Sequence, residues 1–243
     1  MSVVPSTNLL EGKRVLLTGA GGAIGGGITR ALTSHGAEVH GVDLRGGDGV
    51  RECNANDPVA FARVYAEIAP TDVVHAAGTL IVSAMVDTEL GDFRRAVDNN
   101  LTSAFVVGRE AARGLSSGGA LVLIASMAGY HAGAYWGPYC AVKAGVLRLS
   151  EALAKELGPK GVRVNSVCPG IVASPMIEEA IALEARSAGV APETVRRQFM
   201  AKIPLGRFAQ PDDIGAACTY LLSPLANYVS GIALTVDGGE VSW

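Results

Sequence analysis

The stretch KRVLLTGAGGAIGGG, residues 13–27, decides the fold of this chain. It begins with a short apolar run typical of a buried strand and ends in glycines that open an amphipathic helix. Glycines at such a junction let the backbone approach a pyrophosphate closely, and the N–H groups at the helix start favour its negative charge. A plain turn or a helix-packing device would also use glycines. The position in the first strand–helix unit favours a dinucleotide site.

Beyond this unit, short apolar strands alternate with amphipathic helices. This pattern predicts an α/β protein: a single-domain Rossmann-type doubly wound parallel sheet with helices on both faces, over residues 1–243. Ligands of such sheets bind beyond the carboxyl ends of the strands. We expect strands at 13–20, 37–44, 71–78, 119–126, 162–170 and 231–239, helices at 23–36, 57–70, 90–115, 139–158 and 211–223, and a small helical flap at about 175–205.

Composition excludes several classes of function. The net charge is −3 and no basic cluster interleaves with aromatic residues, so we expect no nucleic-acid partner. The four cysteines lie far apart without ligand-like spacing, so we expect no metal site and no disulfide framework. No apolar run is long enough to span a bilayer and no signal peptide is apparent, which favours a cytoplasmic protein without a membrane partner.

Asp43 ends the second predicted strand, 18 residues after Gly25. A carboxylate there accepts hydrogen bonds from the adenosine ribose and repels a 2′-phosphate. It predicts NAD(H) as cofactor rather than NADP(H), with Arg45 as the only nearby cation that argues the other way. An ordinary surface Asp is the alternative.

Tyr139 and Lys143 lie four residues apart in YCAVK, on one face of a predicted helix. A neighbouring ammonium is expected to lower the tyrosine pKa, so that the phenol can pass a proton to or from a carbonyl or alcohol oxygen. Ser126 stands thirteen residues before the tyrosine. Together with the glycine turn, this set resembles the short-chain dehydrogenase/reductase family.

The resemblance covers nearly the whole chain. TGAGGAIG is similar to the family's glycine turn, with Ala23 at a usual glycine position, and NNLTSAF, IASMAG and VRVNSVCPGIVASPM resemble three further family segments. The family implies catalytic roles for Asn100, Ser126, Tyr139 and Lys143. It implies that a dinucleotide contacts Gly19, Gly22, Ile24, Gly25, Asp43, Leu44, Asn54, Ala55, Ala76, Ala77, Gly78, Tyr139, Lys143, Pro169, Gly170, Val172 and Ser174.

Two departures from the family pattern stand out. His75 replaces the first Asn of the family's NNAG segment, and we expect a hydrogen-bonded structural histidine, with a functional base as the alternative. The helix that usually follows the second strand is missing, replaced by a loop containing RGGDG. Asn54 then stands where the family often has an Asp that contacts adenine.

The resemblance implies an oxidoreductase that transfers a hydride between NAD(H) and a secondary alcohol or ketone, with Tyr139 as general acid/base. The alternatives are a non-catalytic dinucleotide-binding sensor and an NADP-dependent 3-oxoacyl thioester reductase. A serine hydrolase is disfavoured because no GxSxG motif surrounds Ser126.

The sequence predicts the substrate pocket less sharply. We expect its wall to include Ser126, Trp136, Tyr139 and Ile171, with Tyr130, His131 and Tyr135 as weaker candidates. Residues 81–85 and the helical pair at 175–205 are expected to contribute further. The family also implies a homotetramer or homodimer through the two long helices and the last strand. The terminal Trp243 fits a buried contact or a lone exposed side chain.

Overall fold

The computed structural model describes residues 8–241. Trp243 therefore lies outside the described residues. Over these residues the chain forms one parallel sheet covered by helices, and the predicted doubly wound α/β fold is confirmed. No helix in this range combines the length and the apolar character needed to cross a bilayer.

The sheet has seven parallel strands in the order β3-β2-β1-β4-β5-β6-β7. The strand order reverses between β1 and β4, so a crevice opens beyond their carboxyl ends. β3 has only two residues, and the sequence did not predict it. The absence of a helix between β2 and β3 was predicted. The strands are β1 Arg14–Thr18, β2 Glu38–Asp43, β3 Arg51–Glu52, β4 Asp72–His75, β5 Ala120–Ile124, β6 Arg163–Pro169 and β7 Ala233–Val236.

Within residues 8–241, eight α-helices accompany the sheet. The single helix predicted over 90–115 is in fact divided by a π-helical turn at Asp98–Thr102, a feature often found at functional sites. The helices are α1 Ala23–Ser34, α2 Pro58–Ile68, α3 Leu90–Val97, α4 Ser103–Gly114, α5 Gly137–Leu157, α6 Pro175–Ala188, α7 Pro192–Ala201 and α8 Pro211–Leu222.

Successive side chains of a strand point to opposite faces of the sheet, so the buried side chains form two hydrophobic cores, one on each face. Leu16 of β1 packs into the core with α2, α4 and α5, whereas its neighbours Val15 and Leu17 pack into the core with α1 and α8. All three side chains are completely buried. The two cores hold the strand ends in place, and the strand ends position the site.

The predicted helical flap is α6 and α7, which have a small core of their own. That core contains Ile181, Val195 and Phe199, with Leu80, Val82 and Ile171 packed against it. A bridge between Val172 and Ala209 ties both ends of the flap to each other. The flap is thus a separately packed unit attached beyond the end of β6.

Candidate functional site

The glycine turn after β1 lies directly against the loop after β4. Gly19 has φ +73°, and a Cβ there would come within 2.5 Å of the Ala77 nitrogen and 2.7 Å of the Ala76 carbonyl carbon. Only glycine permits this conformation and this approach. The predicted dinucleotide residues Gly19, Ala76 and Ala77 therefore meet at the switch point of the sheet.

The backbone at the start of α1 is packed as closely as the backbone at Gly19. A Cβ on Gly25 would stand 2.1 Å from the Gly19 carbonyl oxygen, so this position also requires glycine. Gly22 caps the helix and its amide donates to Gly19 O at 3.1 Å. The first N–H groups of α1 have no acceptor within the helix and are directed at the crevice, which suits a phosphate.

Asp43 points into the same turn. Its Oδ2 accepts a hydrogen bond from the Gly21 amide at 3.1 Å, which fixes the carboxylate at the end of β2 beside the glycines. This is where a ribose bound in the crevice would lie. A 2′-phosphate would meet that carboxylate.

The other residues predicted near the adenosine are more varied. Leu44 is exposed, as is Asn54, whose Oδ1 accepts from the Asn56 amide in a local turn at 2.9 Å. Ala55 is buried in the core, so only its backbone is available to a ligand.

A cavity of about 420 Å³ lies at the carboxyl ends of β4, β5 and β6. It brings together most of the predicted catalytic and substrate residues with one end of the predicted dinucleotide site. The predicted residues that line it are Ile24, Ala76, Gly78, Asn100, Ser126, Trp136, Tyr139, Lys143, Pro169, Gly170, Ile171, Val172 and Ser174.

Tyr139 and Lys143 stand in the first two turns of α5, which places both in the cavity. The Lys143 Nζ lies 5.7 Å from the Tyr139 ring centroid and donates to the Ile124 carbonyl at 3.0 Å. Trp136 packs edge-on to Tyr139, with 6.0 Å between ring centroids. The helix start and β5 thus fix all three side chains.

The prediction that Lys143 lowers the pKa of Tyr139 is wrong for the protein by itself. Burial raises the pKa of Tyr139 to about 12, and the opposing influence is a hydrogen bond with Ser126. Burial also lowers the pKa of Lys143 to about 8. Desolvation is the largest influence on both groups, so Tyr139 holds its proton at neutral pH.

Ser126 follows β5 and is nearly buried. Its Oγ accepts from the Ala128 amide at 3.1 Å, which leaves the hydroxyl proton to be donated towards Tyr139. Serine and tyrosine hydroxyls are therefore neighbours, as the thirteen-residue spacing predicted.

Asn100 sits in the π-helical turn and is almost fully buried. Its Nδ2 donates to the carbonyls of Ala96 and Thr79 at 2.9 and 3.0 Å, which orients the amide. Its Oδ1 has no partner among the described residues. A Cβ on Gly78 would lie 2.6 Å from this oxygen and 3.4 Å from the Lys143 Nζ, so the two polar groups border the same small space.

His75 is buried at the end of β4 beneath that space. Its Nδ1 lies 2.7 Å from the Thr18 hydroxyl and its Nε2 lies 3.2 Å from the Ser103 hydroxyl. Burial, with a smaller contribution from the Lys143 charge, lowers the pKa of His75 to about 3. The imidazole is neutral and links β1 to α4, as expected of a structural histidine.

The segment after β6 closes the cavity. Ser174 caps α6: its Oγ donates to the Val172 carbonyl at 3.2 Å and accepts from the Ile177 amide at 3.4 Å. Pro169 and Gly170 end the strand at the same level as Ser126 on β5. The cap directs α6 away from the sheet and starts the flap.

The pocket wall differs from the prediction in several places. Residues 81–85 do not line the cavity, and Thr79 and Leu80 of the preceding turn do. Of the weaker candidates, His131 and Tyr135 line it, whereas Tyr130 packs against the sheet core. The predicted contribution of the helical pair at 175–205 comes from Met176, Ile177, Glu184, Phe199 and Lys202. Sequence reasoning missed Glu240, because nothing in its local pattern marks it.

Among residues 8–241, no group of His, Cys, Asp or Glu side chains is arranged to hold a metal ion. All four cysteines are buried free thiols. The polar side chains that line the cavity include those of Thr79, Asn100, Ser126, His131, Tyr139, Lys143 and Ser174, with Glu184 and Lys202 of the flap and Glu240 after β7.

Comparisons with known proteins agree with this site. A family model described as enoyl-(acyl carrier protein) reductase matches residues 19–240. An uncharacterised short-chain type dehydrogenase/reductase, y4vI of Sinorhizobium fredii, is 33% identical over 95% of this chain, which spans only 44% of that protein.

Other similar proteins match over their full length. D-beta-hydroxybutyrate dehydrogenase of Cupriavidus necator is 30% identical over 96% of this chain and 100% of its own. The 3-oxoacyl-[acyl-carrier-protein] reductase FabG of Rickettsia bellii is 29% identical, covering 95% and 97%.

The structure of a short-chain dehydrogenase/reductase from Serratia marcescens superposes with a TM-score of 0.86, at 25% identity over 96% of this chain and 99% of that one. The chain belongs to the short-chain dehydrogenase/reductase family, whose members are NAD(P)-dependent oxidoreductases.

Proposed function

We propose that this protein interconverts a secondary alcohol and a ketone with NAD(H), and that Tyr139 is the general acid/base. The observation that carries the proposal is the cluster of Tyr139, Ser126 and Lys143 in one cavity that opens beside the glycine crevice. A sensor that only binds the dinucleotide would have no use for a half-buried tyrosine that is hydrogen-bonded to an oriented serine.

The residues of the crevice fit a dinucleotide. Gly19 and Gly25 let the turn pack against neighbouring backbone at places where a Cβ would clash. The Asp43 carboxylate lies at the end of β2, where a ribose would bind, and Lys143 and Asn100 border the space next to Gly78. A bound nicotinamide supplies or accepts the hydride. Lys143 would hold the nicotinamide ribose, and the remaining predicted contacts follow the strand ends from Gly22 to Ser174.

The chain itself supplies the proton. Because Tyr139 holds its proton at neutral pH, it is ready to donate that proton to the oxygen of a ketone, which leaves a phenolate. In the reverse direction the phenol first passes its proton to solvent along the relay through Lys143, and the phenolate then takes the proton of the alcohol. The Ser126 hydroxyl hydrogen-bonds the same substrate oxygen and stabilises negative charge that develops there. The unpartnered Oδ1 of Asn100 suits a water that passes protons on from Lys143.

Tyr139→Phe tests the catalytic role. We expect kcat to fall by about 10³-fold or more, because general acid–base catalysis contributes roughly 10²–10⁴-fold, while the NADH dissociation constant from fluorescence titration changes little. Trp136→Phe, which alters the ring packed on Tyr139 but no reacting group, is the matched control. Wild-type turnover in the Tyr139 variant would refute the assignment.

Asp43 tests the choice of dinucleotide. We expect kcat/KM to be higher with NAD⁺ than with NADP⁺, and Asp43→Asn to narrow that ratio by about tenfold because the charge that repels the 2′-phosphate is removed. Arg45→Gln, two residues on, removes the nearby cation and should keep or strengthen the preference for NAD⁺. A native preference for NADP⁺ would contradict the cofactor proposal.

Reduction of a 3-oxoacyl thioester with NADPH is the second candidate function. It is favoured by the similarity to the Rickettsia reductase and by the mostly apolar side chains around the cavity. Acetoacetyl-CoA with each reduced dinucleotide separates the two candidates: rapid oxidation of NADPH but not NADH would favour the thioester.

The proposal extends to assembly and location. α3, α4, α5 and β7 supply the surfaces through which family members associate, and we propose a cytoplasmic homotetramer, with a homodimer as the smaller alternative. Sedimentation equilibrium on the purified chain measures the stoichiometry directly.

A further inference from the structure

Three charged side chains line the catalytic cavity without belonging to the proposed proton-transfer group. Glu184 and Lys202 come from the flap, and Glu240 comes from the turn after β7. They share the cavity with Ser126 and Tyr139, so any substrate that reaches Tyr139 also meets them.

Glu240 has an unsatisfied acceptor. Its residue is half-buried, and its Oε2 is out of contact with solvent and has no hydrogen-bond partner among residues 8–241. Leaving a buried polar atom unpaired costs free energy, and a donor placed against it regains that cost. The atom is thus a site that a ligand's N–H or O–H can complete.

The surrounding turn holds Glu240 against the wall of the cavity. Asp237 accepts from the amides of Gly239 and Val241 at 3.0 and 2.9 Å, so the turn is braced on both sides of Glu240. A Cβ on Gly170 would come within 3.3 Å of the Glu240 Oε2. The carboxyl therefore lies beside the strand end that borders both the proposed dinucleotide and the substrate space.

The charged groups that face Glu240 favour the binding of a hydrogen-bond donor there and disfavour the binding of an anion. Burial and the nearby Asp237 raise the pKa of Glu240, and Lys202 lowers it. Protonated or ionised, the carboxyl still offers an acceptor oxygen. Lys202 is exposed and its Nζ lies 5.5 Å over the Phe199 ring, so it stands at the rim and does not pair with Glu240.

We propose that Glu240 is a specificity residue that accepts a hydrogen bond from a second polar group of the substrate, a hydroxyl or an amino group remote from the reacting carbon. The inference rests on the proposed function, because the substrate must reach Tyr139 and Glu240 at once. It names the substrate class as amphiphilic: a secondary alcohol on a largely apolar frame with one further donor.

A series of cyclohexanols tests the proposal with the dinucleotide-saturated enzyme. The substituent at C3 or C4 is methyl, hydroxyl, amino or carboxylate, while the oxidisable alcohol stays the same. We expect kcat/KM for the hydroxyl or amino compound to exceed that for the methyl and carboxylate compounds by at least about tenfold, the size of one hydrogen bond to a charged group. Equal values across the series would overturn the proposal.

Two variants separate Glu240 from the general charge of the cavity. Glu240→Leu removes the acceptor and should erase the preference for donor substituents. Glu184→Gln, the matched control, removes one negative charge from the same cavity and should keep that preference. An equal loss in both variants would overturn the specific role of Glu240, as would a Glu240→Leu variant whose only change is a weaker affinity for NAD⁺.

Calorimetric binding of the same compounds in the presence of NAD⁺ keeps the two proposals distinguishable. If none of the series is turned over, the proposed function fails for this frame, yet a donor preference in binding that Glu240→Leu abolishes would still support the inference. Turnover without any preference for donor substituents would refute the inference about Glu240 and leave the proposed function intact.

Discussion

The proposed dinucleotide crevice and the flap of α6 and α7 lie next to the same cavity but are built in opposite ways. The crevice is made by residues that lack side chains, Gly19 and Gly25, pressed against neighbouring backbone at distances where a Cβ cannot fit. The flap is made by bulky side chains, such as Ile181 and Phe199, that pack into a small core separate from both faces of the sheet.

The difference matches two tasks: the crevice would bind a ligand that many enzymes share, and the flap would bind a ligand particular to this one. A dinucleotide is the same in every enzyme that uses it, and a rigid backbone cradle at a sheet edge suits it. A substrate varies, and a separately packed flap can change its side chains without disturbing the sheet. Each of the following predictions concerns substitutions in one region at a time.

The largest expected effect is in the crevice. Gly25→Ala places a methyl group 2.1 Å from the Gly19 carbonyl oxygen, so the turn must shift, and we expect NADH affinity to fall by at least about 100-fold. The measurement is fluorescence titration together with the thermal midpoint, to show that the variant folds.

Gly26→Ala is the matched control for this change. A Cβ there would meet nothing closer than 3.6 Å, at the Arg30 side chain. Alanine also forms helix better than glycine by about 1 kcal/mol, so this variant should bind NADH normally and be slightly more stable. Equal loss in both variants would mean that the close approach at Gly25 is not what shapes the crevice.

The next effect is confined to the flap. Ile181→Ala empties part of its small core, and such truncations cost about 2–5 kcal/mol. Because that core is separate from the sheet, we expect faster proteolysis within 175–205 and a higher KM for the alcohol, with NADH affinity unchanged.

Leu183→Ala, on the same helix but with a side chain 39% exposed, is the control and should change little. A fall in NADH affinity in the Ile181 variant as large as the rise in KM would show that flap and crevice form one cooperative unit, contrary to the comparison.

The smallest effect concerns His75, which lies beneath both regions. Its pKa is lowered from 6.5 to about 3, so the unfolded chain binds the proton more readily and stability falls as pH drops below 6.5. At 1.36 kcal/mol per pH unit, the loss attributable to His75 between pH 7 and pH 5 is about 2 kcal/mol. Urea unfolding at the two values measures it.

His75→Asn should flatten that dependence by the same amount, because asparagine does not titrate and can still bond Thr18 and Ser103. His35→Asn, outside the cavity, should keep the wild-type slope. An unchanged slope in the His75 variant would mean that the imidazole is charged or solvated in the folded protein.

Much of the site could be predicted because its residues lie at strand ends that the sequence marks. Gly19 and Gly25, Ser126, and the pair Tyr139 and Lys143 each sit beside a recognisable strand or helix, and a parallel sheet brings all such ends to one edge. The division of the predicted 90–115 helix and the two-residue β3 were missed, since a π-helical turn and so short a strand have no periodic signature.

The pKa of Tyr139 shows a different limit. Spacing placed an ammonium near the phenol, but the dry surroundings that raise the phenol's pKa come from side chains distant in the sequence. Glu240, Lys202 and Phe199 entered the cavity in the same way, through the packing of the flap and the last turn against β6.

The sequence by itself determined the fold, the glycine turn and the residues proposed to react, because glycine geometry, hydrophobic period and residue spacing are local properties of the chain. Only the tertiary structure decided which side chains surround those groups and how strongly burial changes their proton affinity. Desolvation and cavity shape depend on contacts between segments far apart in the chain, and no local pattern encodes them.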